Sequence, residues 1–493
     1  MLRTLRRTLP LGALALVGGL AACGSDNGTG PIVPVPTGPK AGTLEGNITT
    51  NRTLFADTVY TLSGYVKVRS GATLTIQPGT KIVGDTLVAG SSLWITRGAK
   101  IDAQGTADKP IVFTSARAKG KRLPGDWGGV IIVGSGIVNR SQGGGVSTIF
   151  TEGPQGTGQN TAENYGGGTV DSDNSGTLRY VRIEFAGYAV QANEELNSLS
   201  SYAVGSGTKY EYVQAVSGLD DSFEFFGGAP DMRYLVSYEA GDDHFDWTEG
   251  FHGRAQYLIA FQTFQPTPRS GAGFVSNDPH GFEGDGCEID KAGCTSFAVA
   301  PYSMPVFANF TLVGPGATAS FSGIKDNNGA VVRRGSGGSF VNGVITRWQG
   351  TGWNVRDLAS DNLRAVDSLT ADNVLLADNV GGNFDVPGSV CTAGGGNCGT
   401  KANYPRAVDG TVAASTLFAQ LPASGAVPDL TSIDWTPKAG SLLVTGTAPT
   451  LSAVVKARMN GFFGGSMAVT TYIGAADPAG AKWWAGWTSY DRN

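Results

Sequence analysis

The chain is poor in the residues on which most catalytic sites are built. Only three histidines and five cysteines occur in 493 residues, and charged residues make up only 16%. Ser and His never share a context suited to a nucleophilic triad. The glycine clusters at 143–145 and 394–396 do not follow a strand and open a helix, as a phosphate cradle requires. Positive charge is short as well: 36 Lys and Arg against 41 Asp and Glu give a formal net charge of −5, which speaks against nucleic acid as a partner. Beyond residue 20 no apolar run approaches the ~18 residues of a membrane-spanning helix. Helix signals are scarce. What is abundant is glycine, 74 residues of it, among Val, Ile, Thr and aromatic residues, the composition of short strands separated by turns.

The first 22 residues read as a leader. Arg3, Arg6 and Arg7 precede an apolar stretch at 9–20, and Leu20-Ala21-Ala22-Cys23 reads as a lipobox. This motif is similar to that of bacterial lipoproteins. The resemblance implies cleavage before Cys23, acylation of that residue (palmitate among the acyl groups) and a membrane partner reached through the lipid anchor. Gly24 after the cysteine implies the cell outer membrane, with either its surface or its periplasmic face left open. Residues 23–42, rich in Gly, Pro, Ser and Thr, read as a flexible tether. The remaining cysteines are Cys287, Cys294, Cys391 and Cys398, which allow three pairings; two local disulfides, 287 with 294 and 391 with 398, are the simplest. Zinc is disfavoured, because its usual ligand spacing is absent.

From residue 43 onward, short alternating segments such as Val66-Lys67-Val68, Leu74-Thr75-Ile76 and Lys81-Ile82-Val83 are broken by turns every five to eight residues, as three-sided coils require. Gly105-Thr106-Ala107-Asp108-Lys109-Pro110-Ile111-Val112-Phe113-Thr114-Ser115, followed by Gly125-Asp126-Trp127-Gly128-Gly129-Val130-Ile131-Ile132, resembles the right-handed parallel β-helix lipoproteins of bacterial cell surfaces. The likeness continues through residues 176–187 and 333–345 to the tryptophan-rich 483–488. It implies an all-β fold, a right-handed parallel β-helix (solenoid) over 43–493 with long loop insertions at 141–176 and 265–300. The aromatic tail, about 445–493, is expected to cap the open end, where strand edges would otherwise be exposed.

One repeat carries the functional reading. Asp220-Asp221-Ser222-Phe223-Glu224-Phe225 recurs 22 residues later as Asp242-Asp243-His244-Phe245-Asp246-Trp247. That step is one solenoid coil, and coils stack roughly 4.8 Å apart, so residues one period apart should superpose. Asp220 would stand over Asp242, Asp221 over Asp243 and Glu224 over Asp246. If Phe282-Glu283 re-enters the register, Glu283 becomes a third acid in the last column. Stacked carboxylates repel unless a cation, donors or shared protons offset them. Candidate ligand-binding residues are therefore Asp220, Asp221, Glu224, Asp242, Asp243, His244, Asp246, Trp247, Glu249, His280 and Glu283.

Two chemistries and a dull alternative fit this column. Ladders of carboxylate and carbonyl oxygens suit calcium, the one cofactor the sequence brings forward. Separately, Asp171-Ser172-Asp173-Asn174-Ser175-Gly176 matches the first half of a calcium loop, making Asp171 and Asp173 candidate metal ligands, though Arg182 stands where the closing Glu belongs. The first reading is a surface lipoprotein binding an extended ligand, a glycan or another envelope component, with aromatics nearby to stack on sugar. The second is a polysaccharide hydrolase or lyase; the chain order Asp221, Asp243, His280, Lys325 resembles polygalacturonases without their flanking motifs. The third is a structural protein or an accessory to an outer-membrane transporter, with Asp-Asp pairs serving only to bind turn amides.

Overall fold

In a computed structural model the chain is described over residues 39–493, apart from 142–146, 154–164, 192–193, 288, 290–293, 320, 322–323, 325, 387–390 and 393–394. The expected leader, Cys23 and most of the tether lie outside the described residues, as does Lys325. Over residues 40–410 the chain winds into a right-handed parallel β-helix whose sheet joins 25 strands.

Each coil has three sides. In the middle coils two sides come from one long bent strand, as in Gly176–Glu184, Lys209–Val216, Asp231–Tyr238, Arg254–Phe261 and Val306–Val313. The bend falls at a left-handed residue, Tyr180, Tyr212, Tyr234, Tyr257 and Asn309 in turn. The first three tyrosine rings stack 4.3 and 4.4 Å apart and the fourth follows at 5.0 Å, so the corner is itself a ladder. The third side holds the repeat: strands Leu199–Val204, Phe223–Gly228, Phe245–Thr248, Phe282–Gly284, Ala330–Val332 and Trp353–Val355 pair in parallel, one coil after another.

Inward side chains fill one continuous core running the length of the solenoid, with Phe223, Phe225, Phe245, Trp247 and Phe282 fully buried in it. Phe223 stacks on Phe245 at 5.1 Å. Like stacks on like because coil spacing matches ring contact distance.

The aromatic tail departs from expectation. Instead of closing the open end, it runs back along the outside of the coils. Val455, Met459 and Phe462 pack on Val306, Ala308 and Val341, while Trp484, Trp487 and Tyr490 cover Val216, Tyr238 and Phe261. Arg182 Nη1 donates to Trp487 O at 2.9 Å and Arg122 Nη2 to Asn493 O at 3.2 Å, pinning the terminus to early coils. The tyrosine ladder offers the tail a ready apolar strip, and burying it is the driving force. Cys287–Cys294 and Cys391–Cys398 are bonded pairs.

Candidate functional site

Strand register brings the repeat together as the 22-residue step requires. Phe223 pairs with Phe245, Glu224 with Asp246 and Phe225 with Trp247; one coil on, Asp246 pairs with Glu283. Successive strand residues face opposite ways, so with Phe223 and Phe225 in the core, Glu224 points out. Glu224, Asp246 and Glu283 thus form one outward column of carboxylates. The next positions are Val331, which is buried, and Asn354, which lines a cleft of about 480 Å³ together with Asp326, Asn328, Arg356 and Asp385.

Asp221 and Asp243 belong to a second ladder, at the turn entering the strand. Asp221 Oδ1 accepts from Asp243 N at 2.8 Å, and Asp243 Oδ1 in turn accepts from His280 N. One coil earlier the same duty falls to Asn197, whose Oδ1 accepts from Asp221 N at 3.1 Å. A neutral amide oxygen is enough for this turn. The negative charge on Asp221 and Asp243 is therefore surplus to the backbone bond it accompanies.

These two ladders meet. Carboxylate oxygens of Asp220, Asp221 and Asp242 lie within 4.8 Å of one another, as do those of Asp221, Glu224 and Asp246. Asn197 Nδ2 donates to Glu224, but Asp242 Oδ1 and Asp246 Oδ1 have no hydrogen-bond partner among the described residues. Burial, reinforced by neighbouring carboxylates, pushes Asp221, Glu224, Asp242 and Asp246 well above the usual carboxyl range and Asp220 up to about 8. Asp243, also raised by burial but relieved by His280, reaches about 6.

The C-terminal half of the face is neutralised differently. Burial opposes charge on His280, yet Asp243, Asp278 and Glu283 surround the ring at 3.0, 3.2 and 3.1 Å and hold it well above its ordinary value, as an imidazolium. Arg333 pairs with Glu283 and, at 2.7 Å, with Asp285, which Arg334 also reaches at 2.7 Å. Arg356 takes Asp326 at 2.8 Å and Asp278 at 3.5 Å. Burial alone would raise Glu283, but Arg333 and His280 bring it down to about 2. The sequence reading overlooked these arginines. Arg333 stands 50 residues beyond Glu283, across an insertion whose length hides the coil register.

Other candidates are placed away from the column. Trp247 faces the core and its Nε1 donates to Ser336 Oγ at 2.9 Å, so it offers no sugar platform. His244 is buried against Ser237 Oγ, and burial brings its ring down to about 3, neutral and structural. Glu249 is buried in an ion pair with Arg140 at 2.7 Å. Asp171 pairs with His252, on another coil, at 2.9 Å, and Asp173 accepts from Ser175 Oγ in its own loop at 3.2 Å. Gly176 follows a separate demand: a Cβ there would lie 1.8 Å from Ile101 O, so close coil approach explains the glycine without a calcium loop.

An all-oxygen donor set with orphaned carboxylate atoms fits a hard divalent cation, for which Asp221, Glu224 and Asp246 would be the central ligands. No curated protein and no solved structure matches the chain. The family model of a pectate-lyase-like beta helix domain matches residues 46–392, which take in every strand of the acidic face. With most of its length so matched, the chain belongs to the pectate-lyase-like beta helix family.

Proposed function

We propose that the protein binds an extended polysaccharide along the outward face of strands 223–228, 245–248 and 282–284, with calcium held by the carboxylates at its N-terminal end. One observation carries this reading. Asp221 and Asp243 do for the turn what the neutral Asn197 does one coil earlier; Asp243 also faces His280 at 3.0 Å, but the turn itself gives no reason for a carboxyl at Asp221. A cation would offset the repulsion among Asp220, Asp221, Glu224, Asp242 and Asp246, and its remaining positions would accept sugar hydroxyls or uronate carboxylates. The polar cleft beyond Val331 continues the face and lengthens the ligand track.

Binding is favoured over cleavage by the state of the basic groups. Arg333, Arg334 and Arg356 are each committed to ion pairs, and His280 is enclosed by three carboxylates, so none is poised as a base. The carboxyl of Asp243, whose value near 6 would suit acid–base work, is buried and tied to the His280 amide.

The test is calorimetric titration of pectate (polygalacturonate) oligomers and neutral glycans into the protein, with calcium and with chelator. Calcium-dependent binding that is lost in Glu224→Gln and Asp246→Asn is expected, without release of reducing ends or unsaturated products. Product release abolished by either substitution would replace the binder with an enzyme. No binding to any glycan would overturn the proposal. We place the protein at the cell outer membrane through a lipid on Cys23; incorporation of labelled palmitate that persists in Cys23→Ala would refute that.

A further inference from the structure

The insertion between strands Arg254–Phe261 and Phe282–Gly284 folds back across the same corner of four earlier coils and is tied to each. Arg269 N donates to Pro124 O at 2.8 Å, its Nε to Gly125 O at 2.9 Å and its Nη1 to Thr86 O at 3.1 Å. Ala272 is fully buried, and its carbonyl accepts from Ala189 N at 2.8 Å. Ser276 N donates to Gly241 O at 3.0 Å. Gly273 lets the strap lie flat, since a Cβ there would stand 2.8 Å from Ala189 Cβ. Between these anchors Phe274 is 91% exposed. Leu87, beside the Thr86 carbonyl that Arg269 grips, is 94% exposed.

We infer that Phe274 is the stacking platform for a sugar ring of the ligand bound on the acidic face. This deepens the function proposed above and rests on it. Three observations converge. The interior aromatics of the repeat, Phe223, Phe225, Phe245, Trp247 and Phe251, are all buried, whereas Phe274 presents a bare ring. Its backbone is fixed on both sides, so docking a ligand there orders no loop. Its position is set by Ser276, two residues on, whose N–H donates to Gly241 O at 3.0 Å, so the strap is anchored next to Asp242 of the carboxylate cluster. A pyranose has the matching duality: an apolar C–H face for a phenyl ring and hydroxyls that donate to carboxylates.

The experiment titrates pectate oligomers in calcium into the full chain and its variants. Phe274→Ala should weaken binding about tenfold with an unchanged melting temperature, while Phe274→Trp should bind at least as tightly as the parent. Wild-type affinity in Phe274→Ala, alongside loss of binding in Glu224→Gln, would overturn the platform and leave the acidic site standing. Absence of binding in the parent would remove both. Sedimentation with phospholipid vesicles, using Cys23→Ala so that no acyl chain contributes, and analytical ultracentrifugation provide the opposing arms. Vesicle binding or self-association abolished by Phe274→Ala would assign the ring to a membrane or to a second copy of this chain, and overturn the inference.

Discussion

Arg333 is the point at which the acidic face can be broken with a calculable effect. Its guanidinium is four-fifths buried and satisfies two buried carboxylates, Glu283 and Asp285. Replacing it by Met keeps much of the side-chain volume but leaves both acids without their main partner, a loss of about 3–5 kcal/mol for a broken buried pair. Residual solvent screening and the remaining cations, His280 and Arg334, favour the lower end. Linkage gives the same scale: lowering Glu283 from 4.5 to about 2 is worth on the order of 3 kcal/mol, with Arg333 the largest favourable cause. At about 2.1 cal/mol/K per residue over roughly 450 residues, this shifts the melting temperature by about 3 °C. The sign with pH follows from the direction of the shift. A depressed carboxyl stabilises fully above 4.5, and that stability is lost as pH falls toward 2. Scanning calorimetry of wild type and Arg333→Met should therefore show a gap of about 3 °C at pH 7 that narrows below pH 4.5 and closes toward pH 2. A gap of equal size at both ends would mean the arginine acts by packing, and no gap at neutral pH would refute the ion-pair account.

The N-terminal half of the face should respond to pH in the opposite sense. Asp220, near 8, and Asp243, near 6, are raised by burial, so their contribution is present below the ordinary carboxyl value and is lost as pH rises through 6 to 8. In chelator the melting temperature should fall over that window and calcium should restore it; a flat profile, or no effect of calcium, counts against the cation. Asp221→Asn keeps the oxygen that accepts from Asp243 N and removes a charge, so in chelator it should melt no lower than wild type while binding calcium more weakly. Trp487 is buried against the Tyr180 and Tyr212 rings, and its truncation to Ala costs about 3–5 kcal/mol at a packed site. Limited proteolysis should then release a C-terminal fragment of the Trp487→Ala variant, and an equally resistant tail would show that other contacts hold it.

Much of the fold was legible because a solenoid turns long-range contacts into local arithmetic. The 22-residue step alone gives the Glu224–Asp246 register, and the Phe282-Glu283 dipeptide gives the third rung despite a long insertion. Strand parity also separates columns: if Glu224 and Asp246 face out, Phe225 and Trp247 must face in, and that argument was available against Trp247 as a ligand from the start. Arg333 and Arg356 were hidden for a different reason. They come from coils beyond irregular insertions, where counting by period fails, and so the repulsion among the acids looked more severe in the sequence than it is at Glu283 and Asp285.

The comparison on which the binding proposal rests was in the sequence too, though only the structure gives it meaning. Asn197-Ser198-Leu199, Asp221-Ser222-Phe223 and Asp243-His244-Phe245 are three versions of one turn entering the same sheet. All three side chains give an oxygen to the next coil's amide. A carboxylate in that place costs desolvation that an amide avoids, and the cost recurs at Asp220, Asp242 and Glu224, which have no arginine partner among the described residues, and at Asp246, which Arg333 relieves only in part. The acids sit close to one another, on the coils that also carry the outward column, and that coincidence is what the proposed binding face rests on.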